Sequence, residues 1–292
     1  PHLAALTAGA LAACGFQPLS WWPLTMVAVA WLIALIDRAH TAKRAFVLGW
    51  LFGLSHFSVG DNWIATAFTY QAEMPAWLGA VAVVLLSVYL AVYPALAALL
   101  AWLLVRGFGR DHAKPRAKLG IALAGTWIVT EWLRSWVFTG FAWNPLGIAF
   151  LGAFNSQGVA VLAPWLGTYG LSGLLVLIAA ALRYFLWRAT LAQGTSRLGW
   201  GVAFVSLALA VTVQMVLPSR NVGQREGNVP FTLIQPDLRQ EALNDSRNYE
   251  PHFIKMARLS IPQRVGEGRV VFWPESGLGD YLRDGYPDYF YR

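Results

Sequence analysis

"GRVVFWPESGLGD", residues 268–280, decides how the chain divides, because nothing in the two hundred residues before it reads the same way. "RVVFW" is rich in β-branched and aromatic residues and reads as a buried strand. It delivers a single carboxylate, Glu275, to a turn. Upstream, as far as Leu217, the chain is almost continuously apolar. A soluble-looking strand that ends on a lone acid therefore follows a membrane-like half, and both parts need a reading.

Working back from that strand, "VPFTLIQPDL" (Val229–Leu238) gives a short apolar run, predicted as a strand that ends before Pro236. Asn248 to Gln263 is predicted as a helix. Pro251 is tolerated in its first turn, and Tyr249, Phe253, Met256, Ala257 and Ser260 form a largely apolar stripe. Gly266 and Gly268 break it before the second strand. Strand, helix, strand is the opening unit of an α/β domain with a largely buried sheet. Catalytic groups in such folds sit at the C-terminal ends of strands, which is where Glu275 falls. Position alone leaves two readings open: a functional acid, or a structural carboxylate that satisfies nearby backbone N–H groups.

The preceding half is a different material. Hydrophobic residues make up 57% of the chain and charged residues 13%, with 15 Trp and a mean hydropathy of +0.49. A soluble domain carries roughly twice that charged fraction. Apolar segments at 3–16, 22–36, 45–60, 78–104, 119–138, 165–187 and 198–217 predict about seven membrane helices. Pro94 should bend the fourth. The organisation is thus a transmembrane domain over 1–217, a polar linker "PSRNVGQREGN" over 218–228, and an α/β domain over 229–292. The chain starts on Pro1 and stops just after a new element begins, so it is expected to be a fragment, truncated at least C-terminally.

Charge sets an orientation. Loops 37–44, 105–118 and 183–197 hold three, five and three basic residues. The loops between them ("GFQPLSW", Asp61–Trp77 and Thr139–Pro164) hold no Lys or Arg. By the positive-inside rule the basic loops are cytoplasmic, which puts residues after Leu217 on the outer face. Of the net +7, all lies at or before Leu217, where 12 Lys+Arg face 5 Asp+Glu; beyond it there are 10 of each. A basic surplus confined to membrane loops argues against a nucleic-acid partner. The one cysteine, Cys14, and five scattered histidines provide no metal-ligand spacing and no disulfide framework. No metal and no cofactor is expected.

Two features of the membrane half stand apart from lipid-facing helix. Glu131 and Arg134, in "VTEWLRSW", are spaced i,i+3 on one helical face and can pair. Charges inside a membrane are costly, and such a pair is either structural or functional. "FTGFAWNPLG" (Phe138–Gly147) is too rich in Gly, Pro and aromatics for regular helix. It is either an interfacial loop or a re-entrant piece that lines a lipid-accessible cavity, with Phe141 and Trp143 as candidate substrate contacts. Trp21, Trp22, Trp63, Trp77, Trp136, Trp143 and Trp165 sit near predicted span ends, where aromatic belts form.

"VVFWPES" after "LIQPD" resembles the start of the carbon–nitrogen hydrolase (nitrilase) domain. "ACGFQPLSWWP", "DNWIATAF", "TEWLRSWVFTGFAWNPLG" and "LGTYGLSGLLVL" resemble the bacterial apolipoprotein N-acyltransferases over essentially the whole chain. The resemblance implies a multi-span domain of the bacterial inner membrane that holds an αββα nitrilase-like domain on the periplasmic face. It implies a Glu–Lys–Cys triad in which Glu275 is the general base. A cysteine thiolate takes an acyl chain from a phospholipid as a thioester, a lysine stabilises the oxyanion, and the amine of an apolipoprotein's diacylglyceryl-cysteine receives the chain. This is the last step of lipoprotein maturation.

The sequence departs from that pattern. No cysteine follows Cys14, which lies in the first apolar segment, and Lys255 precedes Glu275 whereas the family lysine follows it. The chain as given is therefore expected to be inactive, with the triad Lys and Cys beyond Arg292. Asn244 stands near the place where the family often has Trp. Two rival readings differ in class. A membrane-tethered nitrilase-type amidase would pass the acyl group to water. A non-catalytic binding or transport protein would use Glu131–Arg134 as a path, but no inverted repeat is visible.

Overall fold

The computed structural model describes residues 1–70, 75–107, 115–152, 156–218, 227–243, 245–262, 268–275, 277–278 and 288. The chain forms two units, Pro1–Arg220 and Asn221–Arg292. Most of the linker expected at 218–228 lies outside the described residues, as does Asn244.

The first unit is helical. Its long elements are α1 (His2–Ala13), α2 (Trp22–Asp37), α3 (Ala42–Gly60), α5 (Trp77–Leu90), α6 (Val92–Trp102), α7 (Pro115–Arg134), α8 (Ala163–Leu191) and α9 (Gly194–Val216); α4 (Ile64–Ala67) is a single turn. Several starts are chemically marked. Pro23 occupies the first turn of α2, where its missing N–H has no intrahelical role. The Thr41 hydroxyl caps α3 by accepting the Arg44 N–H at 3.2 Å. The core is built on α2, whose Val29, Leu32, Ile33 and Ile36 are fully buried. Gly49 and Gly53 let α3 lie directly on α6, since a Cβ at either would stand within 3.0 Å of the α6 backbone.

Three helical stretches among the described residues are long and apolar enough to cross a membrane: Trp77–Arg106, Gly158–Leu191 and Gly194–Val216. The first joins α5, α6 and a π-helical turn, Leu103–Gly107. It is interrupted at Ala91, one turn before Pro94. Pro94 has no N–H to give the Leu90 carbonyl, so the helix loosens there. Helices α1 and α2 are apolar but shorter. Helices α3 and α7 reach 19 and 20 residues but carry charged groups at their ends. Along α9 an apolar stripe of Leu198, Val202, Val205, Leu209 and Val216 is exposed, the face that hydrocarbon covers in a membrane protein.

The loops sort into two ends. Loops without Lys or Arg meet at one, called the uncharged end for that lack of basic residues: Trp63 packs edge-to-face on Trp143, and Asn144 bonds Asp61. Trp21, Trp63, Trp77, Trp136, Trp143 and Trp165 are exposed there. Basic loops meet at the other. There Arg183 pairs with Asp37 at 2.9 Å, Arg106 approaches the same carboxylate at 3.8 Å, and the Trp102 indole donates to the Ala39 carbonyl.

In the second unit β1 (Phe231–Leu233) and β2 (Val270–Phe272) pair in parallel, Phe231 opposite Val270 and Leu233 opposite Phe272. Between them come a short α10 (Gln240–Leu243), a 3₁₀ turn (Ser246–Asn248) and α11 (Tyr249–Leu259). The Asp245 carboxyl opens that turn. Hydrogen bonds from the Arg247 guanidinium and backbone N–H hold it below the usual carboxylate range.

Two expectations need correction. Helix α11 ends at Leu259, not Gln263; Pro262 restricts the residue before it and stops the helix before the glycines are reached. The sheet is not buried: Phe231, Leu233 and all of β2 are exposed. Two strands and one crossover helix cannot cover both faces, so apolar composition identified the strands but not their burial.

Candidate functional site

Glu275 sits where β2 gives out. Trp273 leaves the strand and is pinned to α11, its indole donating to the Ser260 hydroxyl at 2.8 Å and its ring lying edge-on to Phe253. Arg269 ties the strand's other end to the Ser260 carbonyl at 2.8 Å. Pro274 then begins a turn closed by the Gly277 N–H at 3.0 Å. A Cβ on Gly277 would meet Met256 at 2.8 Å, so the turn is pressed against the fully buried Met256 of α11. The outcome is an exposed carboxylate between two residues, Trp273 and Gly277, that are packed on α11. Because the strands are parallel, the turn after β1, with Asp237 at φ 52°, lies at the same end of the sheet. Asp237 and Glu275 thus both follow their strands at one end of the sheet. Lys255 is exposed on α11. Cys14 belongs to the helical unit, where its thiol donates to the Ala10 carbonyl at 3.6 Å.

The helical unit holds a second constellation at its uncharged-loop end. Glu131 and Arg134 occupy the last turn of α7, both buried, with Arg134 Nη2 3.9 Å from Glu131 Oε1. The same oxygen accepts the Leu146 N–H at 2.8 Å and the Trp127 indole N–H at 3.3 Å. Glu131 thereby caps the 3₁₀ turn Leu146–Phe150, a favourable place for a negative charge, while Arg134 sits favourably at a helix C-terminus. Arg134 Nη1 donates to the Trp143 carbonyl at 2.7 Å, and its guanidinium lies 4.9 Å over the Phe57 ring.

These bonds shape the Phe138–Gly147 segment. Phe138 and Asn144 adopt φ near 51°, and Gly140 φ 80°. A side chain on Gly140 would also strike the Ser135 carbonyl at 2.2 Å, so that corner requires glycine. The Phe141 N–H returns to the Arg134 carbonyl at 2.8 Å. Trp143 is exposed, whereas Leu146, Ala149 and Phe150 enter the core. The segment is thus a surface loop as far as Trp143 and enters the helical core after it. A cavity of about 560 Å³ opens beside the Leu146–Phe150 turn, walled by Gly147, Ile148, Gln157, Pro164, Thr168 and Leu171.

Sequence reasoning missed Asp61, Asn144, His56 and Ser172. Asp61 is fully buried and its Oδ1 accepts the Asn144 amide at 2.6 Å. Ser172 accepts the Gly147 N–H at 2.8 Å. His56 is enclosed by Phe16, Phe52 and Phe57. Glu131 Oε2, Asp61 Oδ2 and His56 Nδ1 have no hydrogen-bond partner among the described residues. The one available signal was an acid at a span end in "GDNW"; its partner lies 83 residues away. Among the described residues no group of three His, Cys, Asp or Glu is placed to hold a metal.

Comparison with known proteins places the sequence in a family. Residues 8–181 match the family model described as "Apolipoprotein N-acyltransferase N-terminal domain". A protein of Ralstonia nicotianae named apolipoprotein N-acyltransferase is 36% identical over 78% of this chain and 42% of its own length. Proteins of the same name from Chromobacterium violaceum and Rhodopseudomonas palustris are 35% and 31% identical, over 97% and 95% of this chain and 51% and 52% of theirs. The chain spans about half the length of the curated relatives it matches. It is a multi-helix membrane protein, and it belongs to the apolipoprotein N-acyltransferase family.

Proposed function

We propose that this chain is the N-terminal part of an enzyme that moves an acyl chain from a phospholipid to the α-amino group of the diacylglyceryl-cysteine at an apolipoprotein's N-terminus. The observation that carries the reading is similarity that runs on through both units, over 97% of the chain in one relative. Glu275 then serves as general base of a Glu–Lys–Cys triad, the second unit being the start of a nitrilase-like domain. The lysine and cysteine come from the part of the relatives' length that this chain does not span.

In that cycle Glu275 takes the proton of the cysteine thiol, and the thiolate attacks the ester carbonyl of the phospholipid. The tetrahedral intermediate collapses to a thioester and releases a lysophospholipid, which takes up the proton. The acceptor's amine then attacks the thioester, an amide forms, and the thiol is restored. No cofactor enters. A base is useful here only if fixed, and the anchoring of Trp273 and Gly277 on α11 supplies rigidity.

Both substrates are lipids, so they reach the site from the bilayer. The loop bearing Phe141 and Trp143, held by Arg134, and the cavity beside it are assigned to that route. The alternation of basic and uncharged ends supports an inner-membrane orientation with the second unit outside, since α9 runs from the basic end to the uncharged one.

The test is acyl transfer by the full-length protein in vesicles that contain a phospholipid with a labelled acyl chain, with a diacylglyceryl-cysteine peptide as acceptor. The expected product is the peptide heavier by one acyl chain, with lysophospholipid released. Free fatty acid without acylated peptide would replace this reading with a hydrolase.

A further inference from the structure

On the basic-loop half of the helical unit, α2 and α9 both pack against α8, and a groove of about 360 Å³ lies between the three helices. Its floor on α2 is the stripe Val27, Ala30, Trp31 and Ala34, spaced i, i+3, i+4, i+7, and Leu182 and Phe204 form the facing walls. Two alanines on this stripe make the depression; Val27 and Trp31 flank it and are exposed. The one charged group on its wall is Arg183.

We propose that this groove binds one acyl chain of an anionic phospholipid, with the lipid phosphate at Arg183. The amphipathic shape is the first reason: an apolar channel that ends in a guanidinium complements a hydrocarbon tail that ends in a phosphate. The second is charge. Arg183 uses Nη2 on Asp37 at 2.9 Å, and a guanidinium has five N–H donors, so donors remain for a second anion. Asp37 is shared, because Arg106 also approaches it at 3.8 Å, so one carboxylate meets two cations. Residues 183–197 add Arg188 and Arg197 and contain no acid. Basic pockets between helices near the cytoplasmic surface select anionic headgroups.

A helix is about 10–12 Å across with side chains, so it would rest on the flanking Val27 and Trp31, whereas a single acyl chain is narrow enough to enter the depression between them. Arg183, which would hold the phosphate, lies at the opposite end of the helical unit from the Phe141–Trp143 loop, so the bound lipid is a structural or regulatory partner, independent of the acyl donor.

The experiment uses the whole chain in nanodiscs of phosphatidylcholine with or without phosphatidylglycerol, followed by native mass spectrometry of retained lipid. The unaltered chain should keep one phosphatidylglycerol and show no equivalent retention of phosphatidylcholine. Ala34→Phe, which fills the groove, should abolish retention. The double variant Asp37→Asn/Arg183→Gln removes both charges together, leaves Arg106 held by the Asp37 and Ala39 carbonyls, and should weaken retention roughly tenfold, the value of one charge-assisted contact. Circular dichroism of each variant checks that the helices persist, and Ala30→Leu replaces Ala34→Phe if the latter does not fold. Retention of phosphatidylglycerol by a folded groove-filled variant, or equal retention of both lipids by the unaltered chain, overturns the proposal.

Discussion

The two ends of the helical unit handle charge in opposite ways. At the basic end Asp37 meets Arg183 and Arg106, and both arginines are partly exposed. That cluster ties α8 and the turn after α6 to the end of α2, within reach of water and headgroups. At the end whose loops lack Lys and Arg, Glu131, Arg134 and Asp61 are buried, the Glu131–Arg134 contact is long at 3.9 Å, and two carboxylate oxygens have no hydrogen-bond partner among the described residues. Burying charge so incompletely costs stability that an apolar cluster would not. The difference shows that one end is a fastening while the other is a strained polar centre that fixes a loop. Strain of this kind is kept where it positions something.

The largest expected effect tests that contrast at Arg134. Arg134→Met strands Glu131 and Asp61 without their shared cation and should lower stability by about 3–5 kcal/mol, read as thermal unfolding in detergent by tryptophan fluorescence. Adding Glu131→Gln to it removes one stranded charge and should restore part of the loss; a double variant no more stable than Arg134→Met would mean the two groups are not coupled. Asp37→Asn weakens the pair at the basic end, where Asp37 is buried but both arginines reach solvent and can rehydrate, and should cost less, about 1–2 kcal/mol. If it cost as much as Arg134→Met, the two ends would not differ as described. Trp143→Ala is the smallest in stability, within about 0.5 kcal/mol for an exposed ring. It should still slow acyl transfer by the full-length protein, and unchanged turnover would remove Trp143 from the lipid route.

How much of this was legible depends on the range of the interactions. Hydrophobic runs and loop charge located α1 to α3 and α7 to α9, read α5 and α6 as one bent segment, and missed the single turn α4 inside a polar loop. The i,i+3 spacing made Glu131–Arg134 visible, and strand composition placed β1 and β2. What spacing cannot carry was missed: Asn144 reaches Asp61 across 83 residues, and Arg183 reaches Asp37 across 146. Sheet burial was misread because "VVF" has the composition of an interior strand, and composition does not say how many layers cover it. The end of α11 was misplaced because the glycines after Gln263 were weighed above Pro262, the nearer and stronger break.

The central claim is that the exposed acid at the end of β2 is chemically employed. The most direct measurement is thioester formation by the full-length protein carrying Glu275→Gln, incubated with phospholipid and assayed by hydroxylamine release of the enzyme-bound acyl chain. Glu275 is exposed and its side chain makes no hydrogen bond among the described residues, so the variant should fold normally. Acylation should fall by about 10²–10⁴-fold, the usual contribution of a general base. A folded Glu275→Gln protein that acylates at the unaltered rate would contradict the account.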